Sequence, residues 1–438
     1  MDGSRADRLA TVSLGCRVGR ADAGSIAASL PAGFRAAAPG ERADWVVVST
    51  CSVTADAASS SRQAVRRAAR EHPGARIVVA GCHVAQEGEF LAALPGVSAV
   101  VGPRDHRAIP GLLLLLRDGA DAGAALALAR RDAPGWDGAP AAGTGAARPV
   151  LKVQDGCDDA CAYCVVPLAR GGSRSLPIAE CLARIASLGA ARAEVVLSGV
   201  HLGGWGRDLS PRLSLADLLR AVASARSVRR IRLSSVEPAE FPVEILAEEA
   251  GAILCEHFHL PLQSGSDRLL EAMGRPYRAA GYARVVAGVV RASPGAALGA
   301  DVMTGFPGET EEDHRETLAL VASLPLAYLH VFAYSPRPGT LAEAMDGRVP
   351  FEVAARRAAE LREFSARRWS SFQEGLRGRE LEVAVERIRG AEASGTSREY
   401  ATVHLPAQGA VRGALTRIRV GDEGVSLGSK VARALATS

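Results

Sequence analysis

The sequence predicts an α/β protein in three parts: a doubly wound parallel-sheet domain, a partial (β/α)6 barrel, and a small C-terminal all-β barrel. Three observations lead there. Short apolar runs alternate with helix-like segments in two separate series, one within the first 110 residues and one from Pro149 to about Leu329. The period then switches, so that past Gly378 the apolar runs are β-like and separated by Gly-rich turns. At 438 residues the chain is also too long for one ordinary domain. Hydrophobic residues make up 48% and charged residues 23%, which supports sizeable cores and excludes a wholly disordered or fibrous chain.

In the first series, Thr11–Leu14, Trp45–Ser49 and Arg76–Ala80 read as strands, with Ala57–Glu71 and Ala85–Leu94 as helices between or after them. This part is expected to span residues 1–118. Residues 119–147 turn rich in Ala, Gly and Pro and read as a linker. The second series, 148–375, offers strands at Val150–Gln154, Glu194–Ser198, Arg230–Ser234, His257–Leu260, Leu298–Thr304 and Tyr328–Phe332. Helical patterns such as Pro177–Leu188 and Ala279–Ala292 lie between them, and a charged amphipathic helix, Phe351–Arg377, follows. Within 376–438, ELEVAVERI, REYATVHL and ALTRIRV supply the β-runs.

The longest apolar stretch, Leu112 to Leu116, is far too short to cross a bilayer, and Met1 to Ala10 lacks an apolar signal core. A cytoplasmic protein is therefore expected. In that reducing compartment the eight cysteines point to metal or redox work rather than disulfides. Fifty of the 52 basic residues are arginine; only Lys152 and Lys430 are lysine.

Cys157, Cys161 and Cys164 form C-x3-C-x2-C directly after the first barrel strand. Three thiolates in one short loop can hold three irons of a [4Fe–4S] cluster and leave the fourth open to a ligand. A zinc site or chance crowding is the alternative. Cys16, Cys51 and Cys82, in SLGC, VSTC and VAGC, each sit where a strand gives way to a helix. In a parallel sheet those ends lie along one edge, so the three can converge, and helix N-termini favour thiolate. The alternative is three buried small apolar side chains, which is also the expectation for Cys181 and Cys255.

Dispersed N-terminal cysteines, C-x3-C-x2-C, a βα barrel and a β-barrel tail, in that order, resemble the radical S-adenosylmethionine (SAM) methylthiotransferases. CSVTADAASSSRQAVRRA, LSGVHLGGWGRDL, RLSSVEPAEF, HLPLQSGSDRLLEAMGR, DVMTGFPGETEEDH and YLHVFAYSPRPGT resemble the branch acting on threonylcarbamoyladenosine in tRNA. RVGRADAGSI, after the first cysteine, departs from the Asn/Gln-rich segment usual there, and the tail is divergent. The resemblance implies two [4Fe–4S] clusters. One, on Cys157, Cys161 and Cys164, binds SAM and generates a 5′-deoxyadenosyl radical. The other, on Cys16, Cys51 and Cys82, handles the sulfur, and a second SAM donates the methyl group.

SAM contacts are then expected from the C-terminal strand ends of the barrel: Tyr163, Gly199, Glu237, Gln263, Ser264, Asp301 and Gly305. Turn or packing roles are the alternative for the glycines, and His201 and His259 are read as hydrogen-bonded barrel residues. The partner implied is a tRNA, gripped by a tail resembling the TRAM RNA-binding domain. From Phe351 to Ser438 there are 15 basic and 11 acidic residues. Arg377, Arg379, Arg387, Arg389, Arg412, Arg417 and Arg419 are the candidate phosphate contacts. The tail is expected to be separable, so that truncation after about Gln373 spares SAM cleavage. The electron donor is left unidentified and the chain is expected to be a monomer. Competing readings are an isopentenyladenosine tRNA methylthiotransferase, an enzyme modifying a ribosomal protein, and a non-enzymatic iron–sulfur carrier.

Overall fold

The computed structural model describes residues 6–133, 146–188 and 194–431. The first sheet is parallel throughout, with strands β1 (Asp7–Ser13), β2 (Phe34–Ala36), β3 (Trp45–Thr50), β4 (Arg76–Gly81) and β5 (Val97–Val101) in the order β2-β1-β3-β4-β5. Every residue of β3 is buried, as a central strand covered on both faces must be. Trp45 and Val47 point to one core, with Ile26, Ile109 and Leu112. Val46 and Val48 point to the other, with Val65, Ala68 and Leu91. The alternation of neighbouring valines is what makes the sheet doubly wound.

The expected linker needs correction. Residues Ala122–Asp132 form a helix, capped by Asp121 and packed on helix Ile109–Arg117. Ala125 and Ala129 are buried there, and a Cβ on Gly111 would sit 3.5 Å from Ala129 Cβ. Small residues that read as a flexible connection instead permit close helix approach. Residues 134–145 of that linker lie outside the described part.

The second unit carries six parallel strands in sequence: β6 (Val150–Asp155), β8 (Glu194–Gly199), β9 (Arg230–Leu233), β10 (His257–His259), β11 (Ala297–Thr304) and β12 (Tyr328–Ala333). A two-residue strand, β7 (Arg174–Ser175), lies antiparallel beside β6. A parallel bridge from Ile231 to Leu254 carries the surface from β9 towards β10. Leu151, Val153, Val195, Leu197, Ile231, Phe258, Leu298 and Val302 face the helices in one large core. Their alternates face inward and include the polar Lys152, Gln154, Glu194, Ser198, Arg230, Arg232, His257, His259 and Asp301.

Helix Phe351–Glu374 leads from β12 to the last sheet, which is antiparallel in the order β16-β13-β14-β15-β17. Its strands are β13 (Glu380–Arg389), β14 (Glu392–Ser397), β15 (Ala401–Pro406), β16 (Leu415–Arg419) and β17 (Ser426–Val431). This sheet covers the floor of the barrel. Arg230 donates to the carbonyls of Glu382 (2.8 Å) and Thr396 (2.9 Å), and Arg232 to those of Ser397 (2.8 Å) and Arg398 (3.1 Å). Tyr400, buried with a left-handed φ of 72°, stacks on His257 at 3.9 Å. Among the described residues, no helix is long and apolar enough to cross a membrane.

Candidate active site: two cysteine triads at the barrel mouth

The C-x3-C-x2-C loop leaves the top of β6 through Gly156 (φ +75°), where a Cβ would lie 2.0 Å from the Gly172 carbonyl. Only glycine fits so tight a turn. Gln154 holds the turn from below, donating to the Gly156 carbonyl (2.8 Å) and accepting from the His201 N–H (2.7 Å). The Ala162 N–H donates to the Met273 carbonyl (2.9 Å) and that of Cys164 to the Cys161 carbonyl (3.0 Å).

Each sulfur meets a different environment. Cys157 Sγ lies 3.4 Å from His201 Nδ1, and His201 Nε2 lies 2.6 Å from Glu240. Burial opposes the charge on His201, but hydrogen bonds to Cys157 and Glu240 outweigh it and lift its pKa to about 10. Arg275 donates to Cys161 Sγ (3.3 Å) and is paired with Glu237. Cys164 is pushed up to about 12, chiefly by burial. Three thiols without disulfide partners, one beside a guanidinium, suit an acceptor that takes them as thiolates.

The second triad converges across the first sheet. Cys16 caps helix Arg17–Ala28, Cys51 follows β3 and Cys82 follows β4. Two glycines allow it. A Cβ on Gly15 (φ +104°) would sit 2.7 Å from Cys51 Cβ, and one on Gly81 (φ +109°) 2.4 Å from the Thr50 carbonyl. Cys16 is close enough to raise the pKa of both Cys51 and Cys82, whose main shift comes from burial. Cys51 reaches about 12.

The short helix Val166–Arg170 stands between the triads. Cys164 lies just ahead of it, and at its end Arg170 donates from Nε to Cys82 Sγ (3.3 Å). The same guanidinium pairs with Asp155 (2.8 Å) and with Asp22 (2.9 Å). Lys152 pairs with both carboxylates, and His106 lies 3.2 Å from Asp22. All five side chains are at most 5% exposed. Asp22 is held well below the usual carboxylate range: burial works against its charge, but Lys152, Arg170 and His106 prevail. This buried network fixes the N-terminal sheet to the barrel.

The structure sorts the other expected residues. Tyr163 places its hydroxyl 3.4 Å from Arg275, and Glu237 shares that arginine. Gln263 has a left-handed φ of 70° and a buried Oε1 without a partner among the described residues, a strained and unsatisfied group just past β10. Ser264 is spent inside the fold on Thr317 (3.2 Å). Asp301 pairs with His259 (2.9 Å) and lies 3.4 Å from His330. The glycines answer to packing. A Cβ at Gly199 would lie 2.8 Å from Gln154 Oε1, and one at Gly305 2.5 Å from Ala354 Cβ. The Gly305 N–H is also taken, by Glu309 (2.5 Å).

Arg377, Arg379, Arg389, Arg417 and Arg419 are exposed and dispersed over the last sheet and its approach. Arg387 and Arg412 alone of that set line a cleft described below. Sequence reasoning missed the charged partners Arg170, Asp22, Arg275 and Glu240. The rarity of lysine singled out Lys152, a signal that was available and unused.

Residues 8–102 match an uncharacterised protein family, UPF0004, and residues 151–321 match the radical SAM superfamily. A tRNA-2-methylthio-N(6)-dimethylallyladenosine synthase of Erythrobacter litoralis (strain HTCC2594) is 36% identical over 398 residues, covering 86% of this chain and 85% of that protein. The chain belongs to the radical SAM methylthiotransferase family. A second family member, the threonylcarbamoyladenosine tRNA methylthiotransferase MtaB of Aquifex aeolicus (strain VF5), is 33% identical, covering 86% of this chain and 92% of that protein. The solved structure of TsrM from Kitasatospora setae, a radical SAM methyltransferase with cobalamin and a [4Fe–4S] cluster bound, shares the fold. Its TM-score is 0.56 at 16% identity, covering 82% of this chain and 85% of that one. As a radical SAM methylthiotransferase the protein is an enzyme whose family carries a [4Fe–4S] cluster and SAM. The residues fit both: three thiols in one loop at the end of the first barrel strand, and an unpartnered Gln263 Oε1 just past the fourth.

Proposed function

We propose that the protein methylthiolates N6-threonylcarbamoyladenosine next to the anticodon of tRNA. In this reading Cys157, Cys161 and Cys164 hold one [4Fe–4S] cluster, and Cys16, Cys51 and Cys82 hold a second. The observation that carries it is the placement of two cysteine triads on either side of helix Val166–Arg170, joined through Arg170. Bound there, the cofactors supply one-electron chemistry for C–H cleavage and the sulfur and methyl groups that replace the hydrogen.

The chain's own residues do the rest. Arg275 offsets the charge of the Cys161 thiolate and orients Tyr163 and Glu237 toward the mouth. Gln263 offers its free amide oxygen to the amino acid portion of SAM. The charged network around Asp22 and Lys152 holds the triads in register and keeps water from between them. Electrons come from an external donor, and the enzyme works as a cytoplasmic monomer.

Relatives of both substrate types match almost equally well, so identity does not choose between them. The character of the barrel's inner face supports the threonylcarbamoyl substituent. His259, Asp301 and His330 stand together on three adjacent strands. A substituent bearing a carboxylate, a hydroxyl and amides finds partners there, whereas a dimethylallyl group would strip water from these residues and replace nothing. The test supplies the reconstituted enzyme with two tRNAs, one bearing threonylcarbamoyladenosine and one bearing isopentenyladenosine, and reads nucleosides by mass spectrometry. Methylthio product on the first alone is expected. Product on the second alone transfers the assignment to the isopentenyl branch, and product on neither reopens the ribosomal-protein reading.

A further inference from the structure

Where the three parts of the chain meet, a cleft of about 610 Å³ opens between helix Arg17–Ala28, the lower ends of β6 and β8, and the last sheet. Six arginines line it, Arg17, Arg20, Arg148, Arg232, Arg387 and Arg412, against one carboxylate, Glu386. Such an excess is not a solvated surface pattern, because part of it is desolvated. Arg148 pairs with Glu194 (3.1 Å) and with Glu386 (3.0 Å), and Arg232 with Glu194 (2.8 Å). The other four make no ion pair among the described residues, although Glu386 acts on Arg20 through space. Arg17 donates to the Tyr400 hydroxyl (3.0 Å) and Arg412 to the Glu386 carbonyl (2.9 Å). Arg387 is exposed and makes no ion pair among the described residues. Arg20 is half-buried, and its Nη1 is sealed from solvent without any hydrogen-bond partner.

A guanidinium in that position is costly unless an anion completes it. Burial, together with the like charges of Arg17 and Arg148, pulls the pKa of Arg20 down, so the field at the cleft favours a negative group. Six arginines set against Glu386 and the buried Glu194 leave an excess of positive charge, which matches a chain of phosphates better than a single small anion.

We propose that this three-part cleft, lined by the unpartnered Nη1 of Arg20, is where the sugar–phosphate backbone of the RNA substrate binds. This rests on the proposed action on tRNA and extends it. The grip on RNA is shared between the first helix and the last sheet, so RNA binding itself reports on the alignment of Cys16, which caps that helix.

The test uses the full-length reconstituted protein and a fluorescently labelled tRNA anticodon stem-loop, with affinity measured by anisotropy from low to moderate salt. Arg20→Gln and, separately, Arg387→Gln are compared with Arg315→Gln, an exposed arginine on helix Glu311–Ser323 away from the cleft. Arg387 has no fold contact to lose, so its variant stays folded. Each cleft variant is expected to weaken binding about tenfold, the worth of one charge-assisted contact, and to lower the salt slope by about 1. Arg315→Gln is expected to change neither. If the unmodified protein binds the stem-loop and both cleft variants behave like Arg315→Gln, the cleft assignment is overturned while the tRNA reading stands. If the unmodified protein does not bind RNA at all, the tRNA reading falls and the cleft assignment falls with it.

Discussion

Replacing Glu194 by Gln isolates the link between the barrel and the last sheet. Glu194 is fully buried at the start of β8, where its carboxylate accepts from Arg148 (3.1 Å), Arg230 (2.7 Å) and Arg232 (2.8 Å). Arg230 and Arg232 spend remaining donors on carbonyls of residues 382 and 396–398, Arg230 also reaches the Glu382 carboxylate (3.2 Å), and Arg148 reaches Glu386 (3.0 Å). An amide of the same shape removes the negative charge and turns one acceptor into a donor facing guanidinium. The three cations stay where they are, since their other bonds hold them. Breaking a buried pair by removing one member costs about 3–5 kcal/mol. That is roughly a few hundred- to a few thousand-fold in the local opening equilibrium.

Native-state hydrogen exchange of the β13 and β14 amides reads that equilibrium directly. The pH dependence has a fixed sign. The carboxyl of Glu194 is held well below its ordinary value, because the arginines outweigh its burial. Its contribution is therefore fully present above the unfolded pKa of about 4.3 and fades as pH falls further. The difference between native and variant protein should be flat from pH 6 to 8. Opening free energies within about 0.5 kcal/mol of the native protein would refute the reasoning, since that is the scatter of an ordinary surface change.

Two further outcomes follow from the same geometry. Gly81→Ala places a Cβ against the Thr50 carbonyl in a backbone conformation that disfavours alanine, so Cys82 is displaced. Reconstituted iron should then fall from about eight to about four per chain, read by iron analysis, with the C-x3-C-x2-C cluster retained. Truncation after Gln373, which the sequence alone presents as harmless to SAM cleavage, should lower Tm by about 5–10 °C, because it uncovers Tyr328, Trp369 and the two floor arginines. Differential scanning calorimetry of the two chains measures it.

The elements a sequence shows best are those whose burial is periodic. All six parallel barrel strands are legible in this way, since their outer residues are Val, Leu, Ile, Phe or, in β11, Ala at every second position. β14 is not: its sequence, EASGTS, is chosen for closeness, and a Cβ on Gly395 would lie 2.1 Å from the Ala384 carbonyl. The cysteine loop is legible because its three members are adjacent in sequence. The network behind it joins Asp22 to Lys152 and Arg170 across 130 and 148 residues, and such pairing leaves no spacing to read. The cleft escaped for a related reason. Charge counting located an excess in the tail, whereas Arg17 and Arg20 come from the opposite end of the chain.

In a chain of fifty arginines, Lys152 is one of two lysines, and it sits 5% exposed in the seam between helix Arg17–Ala28 and β6. Reagents that acylate primary amines ignore guanidinium. At Lys152 they can therefore react only while that seam is parted. The protein thus carries a native chemical reporter, read by mass spectrometry of one peptide, for how often its first sheet lifts from the barrel during turnover.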